Sequence, residues 1–150
     1  MTLSPDELAQ RSAEAMWRDD RASQALGMKL EAVGPGTATM TMTVTDTMIN
    51  GHEICHGGLI FTLADSAFAF ACNAYNKVTV AQHCSVTFLA PAKLGDRLTA
   101  RAEERALNGR SGIYDIRVTR EDGTAIAEFR GHSRTIQGHL VPELAEEETT

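Results

Sequence analysis

The chain has 150 residues, of which 43% are hydrophobic and 23% are charged, and it carries a net charge of −6 at pH 7. This length and composition predict one globular domain with a substantial buried core. The acidic balance argues against nucleic acid as a partner, because a phosphate backbone requires a basic surface, and against docking on anionic membranes.

Neither a signal peptide nor a membrane-spanning segment is predicted. The first six residues lack a basic region followed by an apolar one. The longest apolar stretch, Leu59–Ala74, is interrupted by polar residues and is shorter than the about 20 residues that cross a bilayer. Three cysteines without C-x-x-C spacing, Cys55, Cys72 and Cys84, indicate free thiols in a reducing compartment. We therefore expect a cytoplasmic protein.

The first part of the chain predicts helical structure followed by two strands. Ser4 and Glu7 form a capping box around Pro5, which is typical of a helix start. Between residues 37 and 44 threonines alternate with apolar residues, and this period of two predicts a strand with one buried face. The predicted elements are a helix from Ser4 through Trp17, a helical turn at Ala22–Leu26 ended by Gly27, and strands at Met28–Val33 and Thr37–Val44 around a turn at Gly34–Gly36.

A central helix over Gly58–Tyr75 is predicted next. It is apolar nearly all round, so we expect a single small sheet to bury it on all sides. Turn signals at Asn108-Gly109 and Asp122-Gly123 predict hairpins. The later strands are predicted at Thr79–Leu89, Arg97–Arg105, Gly112–Arg120 and Thr124–Ile136. This order predicts an α+β fold with helices on one face of an antiparallel sheet. We predict one domain over residues 1–138 and an acidic, disordered tail over residues 139–150.

The run from Asn50 to Asp65 carries two competing chemical patterns. Residues 52–56, H-E-I-C-H, match the H-E-x-x-H zinc-protease pattern, which works only on a helix where both histidines share a face. Glycine-containing pairs flank the pattern and favour a turn, and no third ligand is evident, so no metal site is predicted. Cys55 beside His56 is interpreted as a loop thiol, because sequence neighbours usually point apart.

The second pattern is an oxyanion site paired with a carboxylate. Gly57 and Gly58 leave backbone N–H groups accessible at the positive end of the predicted helix, where a carbonyl oxygen can accept hydrogen bonds. Asp65 lies two turns into that helix among apolar residues, where an unpaired charge is costly. Two interpretations stay open: a structural carboxylate bonded to Ser66 or to a strand, and a catalytic carboxylate for acyl transfer or hydrolysis.

The spacing of this pattern has a geometric consequence. Gly57 and Asp65 are separated by about 12 Å along one helix. One copy of the helix therefore cannot direct both groups at a single carbonyl, whereas two copies packed side by side can. The sequence predicts a site shared between two subunits.

From about Ala22 to Gly138 the chain resembles the PaaI-type hotdog thioesterases of phenylacetate degradation. The motifs that carry the resemblance are T-M-T-V-T, I-N-G-H, C-H-G-G, L-A-D-S-A-F-A-F-A-C-N, F-L-x-P, G-x-Y-D-I and F-R-G-H-S. The resemblance implies a hotdog fold, with a long central helix wrapped by an antiparallel sheet, assembled as a homodimer or homotetramer. It also implies hydrolysis of acyl-CoA thioesters, with aryl-acetyl thioesters as the leading class and without a metal or other cofactor.

The same resemblance assigns three catalytic roles. Asn50 would orient the substrate carbonyl or the attacking water, and the Gly57 N–H would polarise the thioester carbonyl. Asp65 of the second subunit would act as general base or nucleophile. The implied substrate- and CoA-binding residues are His56, Gly58, Phe88, Pro91, Lys93, Asn108, Gly109, Arg110, Ser111, His132 and Arg134. Lys and Arg suit the CoA phosphates, and the alternative for each basic residue is a solvated surface charge.

Two positions depart from the family pattern. Leu59 stands where several relatives carry Gln, and Ser66 replaces the commoner Thr. Two other functions stay open beside hydrolysis: a hotdog protein that binds acyl-CoA without cleaving it, and a hotdog dehydratase. The dehydratases rely on a catalytic His paired with an acid, and here His56 would have to serve.

Overall fold

The computed structural model describes residues 2–149. In chain order the elements are α1 (Pro5–Asp19), α2 (Arg21–Ala25), β1 (Lys29–Gly34), β2 (Thr37–Thr43), α3 (Gly57–Cys72), β3 (Thr79–Phe88), β4 (Arg97–Asn108), β5 (Ser111–Thr119) and β6 (Ala125–Thr135), with 3-10 helices at Asp46–Met48 and Pro142–Thr149. The predicted helices and strands are all present, with ends shifted by at most three residues.

The six strands form one antiparallel sheet in the order β1-β2-β4-β5-β6-β3. The sheet curves around α3, which confirms the predicted α+β hotdog architecture. Both predicted hairpins are confirmed as well: Gly109 and Gly123 adopt φ of 61° and 87° in the turns after β4 and β5. Only glycine adopts such angles at little cost. At the N-terminus, the Ser4 hydroxyl accepts a hydrogen bond from the Glu7 N–H at 3.1 Å, as the capping pattern predicts.

The core lies between α3 and the concave face of the sheet. Leu63, Ala64 and Ala67 of α3 are fully buried, as are inward residues of the strands such as Leu98 and Ile116. Helix and sheet approach each other closely at Gly131 of β6. A Cβ there would lie 2.7 Å from the ring of Phe68, so only glycine lets the ring pack on the strand.

The expectation that α3 is buried on all sides is wrong for the single chain. Its residues Phe61, Thr62, Asp65, Ser66 and Ala69 form one stripe that is only half-buried. The sheet ends at β3, which is an edge strand with mostly exposed residues, and no further strand of residues 2–149 covers this stripe. The sheet therefore wraps one side of the helix and leaves the other side open.

The C-terminal segment is attached to the domain beyond the predicted boundary at residue 138. The buried Asn76 side chain bonds to both backbone groups of Val141, accepting from its N–H at 2.8 Å and donating to its carbonyl at 3.0 Å. Residues 142–149, which lie within the predicted disordered tail of residues 139–150, form a 3-10 helix. Within residues 2–149, no helix is long and apolar enough to cross a membrane.

Candidate active site

A pocket of about 600 Å³ opens at the N-terminal end of α3. Asn50 and Gly57 line it together with the end of β3 and the residues after it, Phe88 to Pro91. Its walls are predominantly apolar, and its few polar groups are backbone atoms and one amide side chain. Small-molecule sites usually combine an apolar cavity of this size with a few placed polar groups. The structure thus brings four predicted site residues together: Asn50, Gly57, Phe88 and Pro91.

The first turn of α3 leaves one N–H group free in this pocket. His56 is the N-cap, and its Nδ1 accepts a hydrogen bond from the Gly58 N–H at 2.9 Å. The Leu59 and Ile60 N–H groups both bond to the His56 carbonyl oxygen. Among the described residues, nothing accepts a hydrogen bond from the Gly57 N–H. The Gly57 N–H is therefore the hydrogen-bond donor that remains available to a ligand at the positive end of the helix.

Gly57 also keeps the space in front of that N–H open. A Cβ at this position would lie 3.0 Å from Cζ of Phe88, closer than an ordinary contact. The φ of Gly57 is not in the left-handed region, so its backbone angles do not demand glycine. The glycine matters here because the Phe88 ring and the backbone approach each other closely.

The Asn50 side chain is held by the loop that leads into α3. Its Oδ1 accepts hydrogen bonds from the N–H groups of His52 at 2.9 Å and Ile54 at 3.3 Å. Among the described residues its Nδ2 has no acceptor, and the side chain lines the pocket. Asn50 is thus positioned to donate a hydrogen bond to a bound carbonyl or water.

The structure places the H-E-x-x-H pattern in a turn. Glu53 has a φ of 64°, and residues 51–54 form no helix. His52 and His56 therefore do not share a helical face, which a zinc-protease site requires. Cys55 is buried, its Sγ donates weakly to the His56 carbonyl oxygen at 3.7 Å, and burial raises the pKa of the thiol. A thiol of raised pKa is a poor nucleophile.

Asp65 lies on the half-buried stripe of α3. Ser66, the proposed structural partner, instead bonds through its Oγ to the Ser23 Oγ at 2.9 Å. Among the described residues no group donates a hydrogen bond to the Asp65 carboxylate, and burial raises its pKa. The structure therefore gives no support to the structural interpretation of Asp65. A half-buried, unpaired carboxylate of raised pKa is typical of a functional site.

Asp65 does not line the pocket that holds Asn50 and Gly57. Both α3 residues lie in one continuous helix, Gly57–Cys72, so the separation of about 12 Å along its axis applies. One copy therefore presents the N–H donor and the carboxylate at different places, as the spacing predicts.

The predicted CoA-binding residues fall into two separate groups. His56, Gly58, Phe88, Pro91 and Lys93 lie near the start of α3, where the polar groups of His56 and Gly58 are engaged in the helix cap. Asn108, Gly109, Arg110 and Ser111 form the hairpin between β4 and β5, and His132 and Arg134 lie on the neighbouring strand β6. Gly109 borders a different cavity, beside the C-terminal end of α3. One chain does not bring the two groups together.

Several pocket residues carry no recognisable signal in the sequence. Three further residues line the pocket although the sequence did not predict them as site residues: Ile54, Cys55 and Ile60. Apolar walls leave little sequence signal, because a buried Ile or Ala has the same pattern whether it borders a cavity or the core.

Comparisons with known proteins identify the family and agree with the fold. Residues 52–127 match the family model of the thioesterase superfamily. The acyl-coenzyme A thioesterase PaaI of Escherichia coli is 43% identical over 90% of this chain and 96% of its own length. The solved structure of the E. coli PaaI protein, from the phenylacetic acid degradation operon, superposes with a TM-score of 0.89 at 43% identity, covering 91% of this chain and 99% of that one. A variant of the phenylacetic acid degradation protein PaaI from Thermus thermophilus superposes with a TM-score of 0.75 at 35% identity, over 78% of this chain and 100% of that one.

Proposed function

The chain belongs to the thioesterase superfamily, and from that premise we propose that it hydrolyses acyl-CoA thioesters to a free acid and CoA. The observation that carries the proposal is the Gly57 N–H, which has no acceptor among the described residues and lines an apolar pocket together with Asn50. Donors fixed in this way stabilise the negative charge that develops on a carbonyl oxygen during acyl transfer. By analogy with its relatives in phenylacetate degradation, aryl-acetyl thioesters are the leading substrate class.

In the proposed mechanism the thioester carbonyl oxygen accepts hydrogen bonds from the Gly57 N–H and the Asn50 Nδ2. With Asp65 as general base, its carboxylate takes a proton from water, and the resulting hydroxide attacks the carbonyl carbon. The tetrahedral intermediate then collapses, the C–S bond breaks, and CoA leaves as a thiol after receiving the proton. With Asp65 as nucleophile, its oxygen attacks the carbonyl carbon, the C–S bond breaks, and CoA leaves as a thiolate that takes a proton from water. Water then cleaves the resulting anhydride to the free acid and the Asp65 carboxylate. Single-turnover hydrolysis in oxygen-18 water distinguishes the two routes, because only the nucleophilic route incorporates the label into Asp65.

We propose that Asp65 reaches the carbonyl from a second copy of the chain. Two features of the single chain support a second copy. The edge strand β3 and the segment after it expose Val80, Phe88 and Leu89, and unpaired edge strands of this kind pair readily with another chain. The adjacent stripe of α3 that carries Asp65 is also uncovered. A homodimer, alone or within a homotetramer, would cover both features.

A second copy also accounts for the split set of predicted CoA residues. Lys93 lies near the start of α3, whereas Arg110 and Arg134 lie near the other end of the helix. Antiparallel packing of two copies would set these ends side by side, so that basic residues of both chains bind the CoA phosphates. The proposed reaction needs no metal or redox cofactor. A cytoplasmic location stays a prediction from cysteine usage.

The structure weighs against the dehydratase alternative. A dehydratase would need His56 as its catalytic histidine, but the His56 Nδ1 already accepts the Gly58 N–H and caps α3. No observation on the described residues favours a binder without activity, because the donor and the carboxylate of the proposed site are both present and unpaired. The acyl-CoA panel described next distinguishes such a binder from an enzyme.

The test is a panel of acyl-CoA thioesters assayed for CoA release with a thiol reagent. We expect hydrolysis by the native chain and a loss of at least about 100-fold in Asp65→Asn, since catalytic acid–base groups contribute about 100- to 10,000-fold. If no acyl-CoA releases CoA although the protein binds them, the enzyme proposal is refuted and the binder is favoured.

A further inference from the structure

One wall of the pocket at the start of α3 is formed by the residues from Phe88 to Pro91, which we call the pocket wall. The Leu89 and Ala90 N–H groups both donate to the Ile126 carbonyl oxygen of β6, at 2.8 Å and 3.3 Å. Pro91 has no N–H group, so it cannot be held by a backbone donor of its own. The far end of the pocket wall therefore depends on the hydrogen bond that the Pro91 carbonyl oxygen accepts.

That hydrogen bond comes from Arg120, the residue that follows β5. Its Nη1 donates to the Pro91 carbonyl oxygen at 3.1 Å, although Arg120 itself does not line the pocket. The Arg120 side chain is 24% exposed, whereas the other arginines that form ion pairs among the described residues are 53% to 65% exposed. Because this guanidinium is partly shielded from solvent, its bonds are weakened less by water and salt than bonds on the open surface.

The direction of the Arg120 guanidinium is set by the turn between β5 and β6. Its Nη2 donates to the Thr124 Oγ1 at 3.0 Å and to the Asp122 Oδ2 at 3.3 Å, and its Nε donates to the Asp122 Oδ1 at 3.4 Å. Asp122 is held in turn, because its Oδ1 accepts the Thr124 N–H at 3.0 Å. The five N–H donors of a guanidinium lie in one rigid plane, so bonds at Nε and Nη2 also fix the direction of Nη1.

The pocket wall held by Arg120 faces the proposed oxyanion donor. At one end, the Phe88 ring approaches Gly57 so closely that a Cβ on Gly57 would lie 3.0 Å from the Phe88 Cζ. Beyond the other end, the Ala92 carbonyl oxygen accepts the N–H of Cys55, a further pocket residue, at 2.8 Å. An apolar wall contacts the substrate in the ground state and in the transition state alike, so its position affects the binding of both.

We infer that Arg120 is a positioning residue for substrate binding, which acts by fixing the pocket wall at Pro91. The inference rests on the proposed function, because the substrate concerned is the thioester bound beside Gly57. Arg120 touches neither the substrate nor the reacting atoms. Its guanidinium is engaged by Pro91, Asp122 and Thr124, which separates it from a basic residue that binds the CoA phosphates.

The first experiment measures kcat and KM of Arg120→Ala with an acyl-CoA and with the pantetheine thioester of the same acyl group, which lacks the nucleotide and its phosphates. We expect KM to rise about 3- to 10-fold for both substrates, a change that corresponds to one hydrogen bond. The value of kcat should stay within about 2-fold, because contacts made equally in the ground state and the transition state affect KM alone.

Two further variants accompany Arg120→Ala. Arg120→Lys keeps the charge but lacks the planar fork that bonds to Pro91 and Asp122 together, so its KM should also rise, by at least about 3-fold. Arg117→Ala is the matched control, because Arg117 lies on the same strand, forms an ion pair with Glu128 and does not line the pocket. Its KM should equal that of the native chain.

The second experiment detects movement of the pocket wall without any turnover. Cys55 and Cys72 are 3% and 4% exposed, and only Cys55 lines this pocket. We expect N-ethylmaleimide to label Cys55 at least about 3-fold faster in Arg120→Ala than in the native chain, because a released wall opens locally. Peptide mass spectrometry resolves the cysteines, and the labelling rate of Cys72 should not change. Arg117→Ala should label like the native chain.

The outcomes separate this inference from the proposed function. If the native chain releases CoA but Arg120→Ala keeps its KM, or labels Cys55 and Cys72 faster to the same extent, the inference is wrong and the proposed function stands. A rise in KM for the acyl-CoA but not for the pantetheine thioester would also overturn the inference, because Arg120 would then bind a phosphate. If the native chain releases CoA from no acyl-CoA, the proposed function is refuted and the inference fails with it.

Discussion

Replacing Gly57 by alanine is expected to separate folding from catalysis. The added Cβ would lie 3.0 Å from Cζ of Phe88, against 3.4 Å for an ordinary contact, but the Phe88 side chain is 50% exposed and can shift. Alanine also gains up to about 1 kcal/mol over glycine in a helix, and less in the first turn. We therefore expect the free energy of unfolding to change by less than about 1 kcal/mol, and Tm by less than about 4 °C.

The effect on activity should be much larger. The methyl group and the displaced Phe88 ring would occupy the space in front of the Gly57 N–H, where the thioester carbonyl is proposed to bind. A displacement of about 1 Å at a reacting group can cost about 100-fold, and loss of one oxyanion donor costs about 100- to 1,000-fold. We expect kcat/KM in the thiol-release assay to fall by at least about 100-fold.

Gly51→Ala is the matched control for this variant. Gly51 lies in the loop that leads into α3, its φ is not positive, and a Cβ there would meet nothing within 4 Å. It should hydrolyse acyl-CoA at the rate of the native chain. If Gly57→Ala is as active as Gly51→Ala while both remain folded, the carbonyl does not bind at the start of α3 and the proposed site is wrong.

Three further predictions concern Asp65 and Asn50. Because folding raises the pKa of Asp65, its charge destabilises the fold: this cost is absent at low pH, develops as the pH rises above the ordinary value of 3.8, and is complete above the raised pKa. Asp65→Asn should therefore have a higher Tm than the native chain at pH 7, and the difference in Tm should disappear in acid. An unchanged or lower Tm at pH 7 would contradict the conclusion that the Asp65 carboxylate is unpaired. In the native chain kcat/KM should fall on the acid side through one ionisation above pH 3.8, and a rate independent of pH down to that value would exclude Asp65 as the base or nucleophile. Asn50→Asp keeps the side-chain oxygen that accepts the two loop N–H groups but loses the amide N–H donor. We expect this variant to fold normally, as checked by circular dichroism, and its kcat/KM to fall about 100-fold. Full activity of the variant would remove Asn50 from the mechanism.

Local patterns predicted most of the fold. The Ser4 cap, the alternating threonines of β2 and the glycine turns after β4 and β5 act over a few residues, and the structure has each of them. The burial of α3 was predicted less well. An apolar helix indicates that every face will be covered, but the sequence does not say whether the cover comes from its own sheet or from another chain. In one copy the sheet stops at β3 and leaves the stripe around Asp65 open.

The candidate site, like the fold, was predicted only where local sequence determines it. The donor at Gly57 could be predicted from glycines at a helix start, and the distance to Asp65 followed from helical rise alone. The role of His56 as the cap that engages Gly58 and leaves Gly57 free depends on a side-chain orientation that no spacing reveals. The cavity beside the C-terminal end of α3 was not predicted either, because Cys72, Tyr114 and Ser133 come from three separate elements that meet only in the folded chain.

The most direct test of the shared site is subunit complementation. Gly57→Ala and Asp65→Asn chains, each inactive alone, are mixed, unfolded and refolded together. Random pairing gives heterodimers in half of the molecules, and in each heterodimer one of the two sites combines an intact Gly57 with an intact Asp65. We expect the mixture to recover about a quarter of native activity, the share of intact sites under two-fold symmetry. A mixture no more active than its separate components, although heterodimers form, would contradict a site built from two chains.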